Sequence, residues 1–242
     1  MTTTVIRNAD WVIAWDEVAR HHVYRRNIDI AFTDGTIVFV GPNYTGAADR
    51  VINGADRLVL PGLIDIHAHP EHEPLYRGVR EEHGLRNMHM TGLFERSQAF
   101  SAPDDEARAA SAEFAYCELL LSGVTSLVDI SPAWDGWIEL FARSGMRGFV
   151  APGFASARWR LDNDFELKFA WDEARGRAGL ATALEMIERA TRHPSGRLSG
   201  VVRRCRSKIV RRNCCGTAAM RPANAAFRSR CISRRAFSRC RR

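Results

Sequence analysis

The chain has 242 residues, 45% of them hydrophobic, with 35 Lys and Arg against 28 Asp and Glu. This is an ordinary globular composition, and no run approaches the roughly 18 uninterrupted apolar residues that would mark a membrane span. Met1 to Glu17 is broken by Arg7, Asp10 and Asp16 and lacks a signal-peptide apolar core, so the expectation is a cytoplasmic protein with no membrane partner.

The net charge of +7 hides two different segments. Residues 203–242 hold 13 Arg and 1 Lys and no acid, a net of +14; residues 1–202 hold 21 basic and 28 acidic residues, a net of −7. Five of the six cysteines (Cys205, Cys214, Cys215, Cys231 and Cys240) are in the basic tail, without a zinc-site spacing. A body whose one cysteine is Cys117 reads as a reduced-compartment protein.

Residues 1–60 read as a small β-rich portion. Val5 to Ala14, Ile28 to Phe32 and Thr36 to Val40 are rich in β-branched and aromatic residues, with an Asp34-Gly35 hairpin turn between the last two. His21-His22, beside Arg20, Arg25 and Arg26, reads as an exposed turn. From Pro61 the pattern becomes strand–helix alternation. Strands are expected at Leu63 to Ile66, Thr125 to Ile130, Arg147 to Val150 and Leu198 to Val202. Helices are expected at Ala102 to Ser122, capped by Ser101 or Asp104, at Trp134 to Ser144, and at Asp172 to Arg192, the last interrupted by Gly176 and Gly179. The spacing of Trp134, Trp137 and Phe141 gives the second helix a core face. Alternation of this kind implies parallel strands with helical crossovers. Residues 70–101 and 151–171 read as long connections after strands one and three, where such folds place their sites.

The sharpest chemical signal is Pro61-Gly62-Leu63-Ile64-Asp65-Ile66-His67-Ala68-His69-Pro70. Residues i and i+2 of a strand share a side, so His67 and His69 can converge on one metal ion at the strand's end. Asp65 fits a structural hydrogen-bonding role. His72, His83 and His89 fall in the following connection, and His72, Arg77 and His89 are weak candidates for substrate contacts. Arg77 could equally pair with Glu81.

These features together resemble the amidohydrolase superfamily. The resemblance rests on the β-rich start, the Pro-Gly-(apolar)-Asp-x-His-x-His string, Leu75-Tyr76-Arg77-Gly78, and Ser122-Gly123-Val124-Thr125-Ser126-Leu127-Val128-Asp129; it covers residues 1–202. It implies a (β/α)8 barrel, with residues 61–202 as its first four βα units, and a β-sandwich to which residues 1–60 contribute. It also implies one divalent metal, Zn or Fe, held in part by His67 and His69, and hydrolysis of non-peptide carbon–nitrogen bonds of a small molecule by metal-activated water. The absence of a lysine in Leu198-Ser199-Gly200-Val201-Val202 favours the single-metal, deaminase- or chlorohydrolase-like branch. The histidines of strands five and six and the aspartate of strand eight have no counterpart, so the catalytic residues stay unassigned and the chain is expected to be inactive by itself. Completion of the barrel by a second copy is a further alternative.

The basic tail, residues 203–242, carries two readings. One is a nucleic-acid-attracting arm on a non-catalytic protein. The other, preferred and disfavouring nucleic acid as a partner, is translation out of frame after a one-base deletion near Val202–Arg203. In the shifted frame Asn213-Cys214-Cys215 must give Leu-Leu, and Cys231-Ile232 must give His or Tyr. Permissible codons turn the segment into an amphipathic helix followed by a strand ending in histidine.

Overall fold

The computed structural model describes residues 1–77, 103–161 and 167–203 and divides into two compact units, Met1–Gly62 and Leu63 onward. The first unit is entirely β. Strands β1 (Thr3–Ala9), β4 (Ile28–Thr33), β5 (Thr36–Gly41) and β6 (Arg50–Asn53) form a sheet in the order β5-β4-β1-β6, and β2 (Trp11–Asp16), β3 (His21–Arg25) and β7 (Leu58–Val59) form a second in the order β3-β2-β7. Alternate apolar side chains of both sheets meet in one core containing Ala9, Val12, Ile28, Ile30 and Val59. The expected Val5 to Ala14 strand is split in two at Asp10, and within β1 Asn8 takes a positive φ of 49° where the pairing with β4 shifts register. His21 and His22 lie in a strand paired with β2 rather than in a turn. Asp34 and Gly35 both have positive φ, 48° and 85°, as a type I′ hairpin turn requires.

Asp29 ties this unit together from within. Its buried carboxylate accepts hydrogen bonds from Asn8 N–H (2.8 Å), Tyr44 N–H (2.9 Å) and Arg7 Nη1 (2.7 Å). Burial works to raise its pKa, but these donors outweigh burial and hold it below the usual carboxylate range.

The second unit contains a four-stranded sheet in the order β13-β10-β9-β8, built from β8 (Leu63–Ala68), β9 (Val124–Asp129), β10 (Arg147–Val150) and β13 (Leu198–Gly200). All three pairings are parallel. Helices α1 (Asp105–Leu121), α2 (Trp137–Arg143) and α3 (Glu173–Thr191) connect successive strands. Asp104 and Asp172 cap α1 and α3, their carboxylates accepting from Ala107 N–H (2.8 Å) and Arg175 N–H (2.9 Å). Tyr116, Trp137, Phe141, Leu127, Val150 and Ile187 are among the buried residues of one core beneath the helices. This is a mixed α/β unit with a parallel sheet, and no closed barrel is formed among the described residues.

Two expectations change. The connection expected over 151–171 contains an antiparallel hairpin, β11 (Ala157–Leu161) and β12 (Leu167–Trp171). Helix α3 runs without interruption through Gly176 and Gly179. The reason is close packing: a Cβ on Gly176 would lie 2.1 Å from Ser156 Oγ, and one on Gly179 would lie 2.9 Å from Phe154 Cβ. Ser101, His83, His89 and Glu81 lie outside the described residues, as do residues 204–242. No described helix is long and apolar enough to cross a membrane.

Candidate metal centre

His67 is the penultimate residue of β8, which ends at Ala68, and His69 follows the strand directly, with the two ring centroids 5.2 Å apart. The strand is pinned there by Ile130 N–H donating to Ala68 O at 2.8 Å. The register is uneven: Asp65 pairs with Leu127 and Ala68 with Asp129, three residues against two. One additional residue is thus accommodated just before the histidines, which re-aims the side chains there. Asp65 takes the structural role expected of it, its Oδ1 accepting from His67 N–H at 2.9 Å.

After His69 the chain folds back on itself. The N–H groups of His72 and Glu73 both donate to His69 O, at 3.3 and 2.9 Å. Ser111 Oγ of α1 donates to Pro70 O at 2.9 Å and anchors the turn. The reversal brings Glu71 and His72 beside His69. One donor atom from each of His69, Glu71 and His72 lies within 4.8 Å of the others, and the His69 and His72 ring centroids are 5.0 Å apart. Glu71 is 1% exposed; its Oε1 pairs with His72 Nδ1, and its Oε2 accepts from Ser131 Oγ at 2.8 Å.

Behind this cluster lies a second buried carboxylate. Asp129, fully buried at the end of β9, takes hydrogen bonds from Tyr116 Oη (2.6 Å), Trp137 Nε1 (2.8 Å) and Ser131 Oγ. Burial pushes its pKa up to about 6, although the three donors work in the opposite direction. Burial and the Asp129 carboxylate also push the Tyr116 hydroxyl well above its ordinary value.

His69 is half-buried, and its Nδ1 is enclosed without a hydrogen-bond partner. Burial, reinforced by His72, lowers its pKa; Glu71 opposes the shift. The imidazole is therefore held toward its neutral form, the form that ligates metals. An orphaned buried nitrogen, a second histidine and a carboxylate make an N/O donor set that suits zinc or iron, so these residues fit a divalent metal. His67 is exposed at the mouth.

A cavity of about 420 Å³ is lined by Asp65, His67, His69, Glu73, Arg77 and Glu118, with apolar residues of α1. Arg77 is engaged by Glu73 (2.8 Å) and Glu118 (2.7 Å), and these two carboxylates raise its pKa. Glu71, Ser131 and Asp129 are the residues that sequence reasoning missed. The one signal was an acid two positions after His69, which looks the same as a solvated loop charge.

No family model matches the chain. It is 29% identical over 140 residues to 5-methylthioadenosine/S-adenosylhomocysteine deaminase from Pyrococcus furiosus, an alignment covering 58% of this chain and 32% of the relative. Its fold is similar to that of a triazine hydrolase from Arthrobacter aurescens, with a TM-score of 0.65 and 20% identity over 87% of this chain and 48% of that one. It is also similar to an adenosine deaminase from Xanthomonas campestris with bound zinc, with a TM-score of 0.62 and 21% identity over 83% of this chain and 42% of that one. The match to the curated deaminase thus spans about a third of that protein's length. Sequence relatives and fold together make this chain an amidohydrolase-superfamily protein, similar to the deaminases and chlorohydrolases of that group.

Proposed function

We propose that this chain carries the N-terminal part of a metal-dependent hydrolase that removes an amino or comparable leaving group from a small heterocyclic molecule. The observation that carries the reading is the placement of His67 and His69 at the end of the first parallel strand, with His69 Nδ1 buried and unpartnered. His67 and His69 would hold the metal. When bound, a zinc or iron ion at such a site lowers the pKa of a coordinated water toward about 7 and supplies a nucleophile at neutral pH.

The chain's own residues have separate tasks. Burial keeps His69 neutral and ready to ligate. The cavity beside the pair would receive the substrate, with Arg77 and Glu118 fixing its wall as an ion pair. The parallel order β8-β9-β10-β13, with a helix between successive strands, is what the first half of a (β/α)8 barrel presents. We read residues 61–202 as that half, residues 1–60 as part of a β-sandwich, and residues 203–242 as a separate basic tail.

The substrate class follows the relatives: adenosine-type nucleosides first, chlorinated or aminated triazines second. The test is ammonia release from 5-methylthioadenosine and S-adenosylhomocysteine, and chloride release from atrazine. Each is measured on the metal-free chain and after adding one equivalent of zinc or iron. The chain by itself is expected to release neither product, and to bind one equivalent of zinc or iron that His69→Ala loses. Absence of that binding would refute the proposal, and metal-dependent release by this chain would refute its expected inactivity.

A further inference from the structure

We infer that the outer face of the β3-β2-β7 sheet is a docking surface for a second copy of this chain, apposed about a two-fold axis that runs across the strands. The inference concerns the N-terminal unit alone and goes beyond the hydrolase reading, since it needs no metal and no substrate.

The face is built by strand alternation. Val12, Ala14 and Val59 pack into the core between the two sheets, so Trp11, Ile13, Trp15 and Leu58 take the outward positions. The register sets His22 opposite Trp15, Tyr24 opposite Ile13 and Leu58 opposite Trp11. Arg26 lays its guanidinium over the Trp11 ring, 4.5 Å from the centroid, and His22 meets Trp15 edge-on with ring centroids 5.3 Å apart. A sheet with one face on a core normally turns polar residues outward. Here the outward side is aromatic: Trp11 is 42%, Trp15 45% and Tyr24 73% exposed. Tryptophan, tyrosine and arginine gathered in one patch are the composition of protein–protein hot spots. Held on a hydrogen-bonded sheet backed by a core, these side chains lose little freedom on docking.

Charge and area select the occupant. Arg26 lies at one end of the face beside Trp11, and Glu17 lies in the turn that follows Trp15 at the other. The two ends are four residues apart along β2, about 13 Å. A two-fold axis across the strands, through Ile13 and Tyr24, turns one copy end for end over the other. It sets Trp11 against Trp15, Tyr24 against Tyr24, and the Arg26 end against the Glu17 end, while the two Arg26 side chains stay about a Debye length apart. An axis along the strands would bring both Arg26 side chains to the same end. Between residues 10 and 26, Asp10, Asp16 and Glu17 balance Arg20, Arg25 and Arg26, a neutral mixture that suits a second copy better than a phosphate backbone. The three aromatics at their exposures offer about 300 Å². Ile13, His22, Arg26 and Leu58 extend the patch toward the roughly 800 Å² per partner of a standard interface.

The experiment uses the full 242-residue chain under reducing conditions, over a hundredfold range of concentration. Sedimentation velocity should show a monomer giving way to a dimer. Hydroxyl-radical footprinting read by peptide mass should show Trp11, Trp15 and Tyr24 oxidised at least threefold more slowly where the dimer dominates. Trp171, comparably exposed on the other unit, is the internal control and should change by less than half as much. Tyr24→Glu places two carboxylates on the axis and should weaken association at least tenfold, with an unchanged circular dichroism spectrum because the side chain lies outside the core. A chain that stays monomeric, that grows beyond a dimer, or that associates with the three aromatics still reactive would overturn the inference. A single-stranded oligonucleotide that protects them while the chain remains monomeric would assign the face to nucleic acid and overturn it too. Footprinting of the unsubstituted chain keeps the test valid even where the variant does not fold. None of these outcomes bears on the hydrolase proposal, which stands or falls on metal binding.

Discussion

Asp129→Asn is the substitution that most directly tests the buried network. Asp129 is fully buried and its pKa is pushed up to about 6, against an ordinary value of 3.8. A raised carboxyl pKa means that the folded state holds its proton more tightly than the unfolded chain does. The associated stability is therefore fully present below pH 3.8 and is lost as pH rises through about 6. At about 1.4 kcal/mol per pH unit, the whole effect is about 3 kcal/mol, with about 1 kcal/mol of it falling between pH 5 and pH 7. Asparagine cannot titrate, so this slope should vanish from the variant. The assay is urea denaturation by circular dichroism at pH 4.5, 5, 6 and 7 on both proteins. The difference, wild type minus variant, should fall by about 1 kcal/mol from pH 5 to pH 7. A difference that is flat or rises with pH would refute the reasoning. At pH 7 the amide also places N–H groups against the Tyr116 and Trp137 donors or loses the Ser131 contact, at a cost of about 1–3 kcal/mol.

Other consequences can be measured in the same way. Asp29→Ala leaves Asn8 N–H, Tyr44 N–H and Arg7 without their acceptor, and should destabilise the N-terminal unit by about 2–4 kcal/mol in thermal or urea melts. Its depressed pKa has the opposite sign to that of Asp129: the stability is present above pH 3.8 and is lost as pH falls through the still lower folded value. Gly176→Ala improves intrinsic helix propensity, yet it should lower stability by about 1–3 kcal/mol, because the new Cβ falls 2.1 Å from Ser156 Oγ. Pairing it with Ser156→Gly should recover much of the loss. Asp104→Ala removes the cap on Ala107 N–H and should cost about 1 kcal/mol, read as a lower melting temperature of the second unit.

What was legible in the sequence was whatever local pattern determines. Arg147 to Val150 is a strand as expected, and Asp104 and Gly123 bracket α1, because capping and apolar runs are short-range signals. The pairing of β6 with β1 and of β7 with β2 was not legible, since both are long-range parallel contacts of short segments with weak patterns. The hairpin β11–β12 was hidden by Arg158, Arg160 and Lys168, whose charges suggest a solvated loop. At the site, the His67–His69 spacing was readable because a strand's period is two. The turn after His69 was not, because backbone hydrogen bonds to a single carbonyl create it. Ser131, 60 residues from Glu71, could be found only from the fold.

Counting protons shows how the two buried carboxylates coexist. Ser131 has one hydroxyl hydrogen, and its Oγ faces both Glu71 Oε2 and Asp129 Oδ1. It can donate to one of them at a time. Tyr116 and Trp137 donate to the other oxygen of Asp129, so they do not relieve the conflict at Oδ1. A proton on Asp129 does. Below about pH 6, where Asp129 is protonated, Oδ1 can donate to Ser131 Oγ, and Ser131 then donates to Glu71. Glu71 faces His72 through its other oxygen. This arrangement agrees with the raised pKa of Asp129, for which the carboxylate of Glu71 is one of the causes. The ends of the first two parallel strands are thus joined by a chain of donors running in one direction, from Asp129 through Ser131 to Glu71. Its far end, Glu71, is grouped with His69 and His72 as side chains whose donor atoms lie within 4.8 Å of one another.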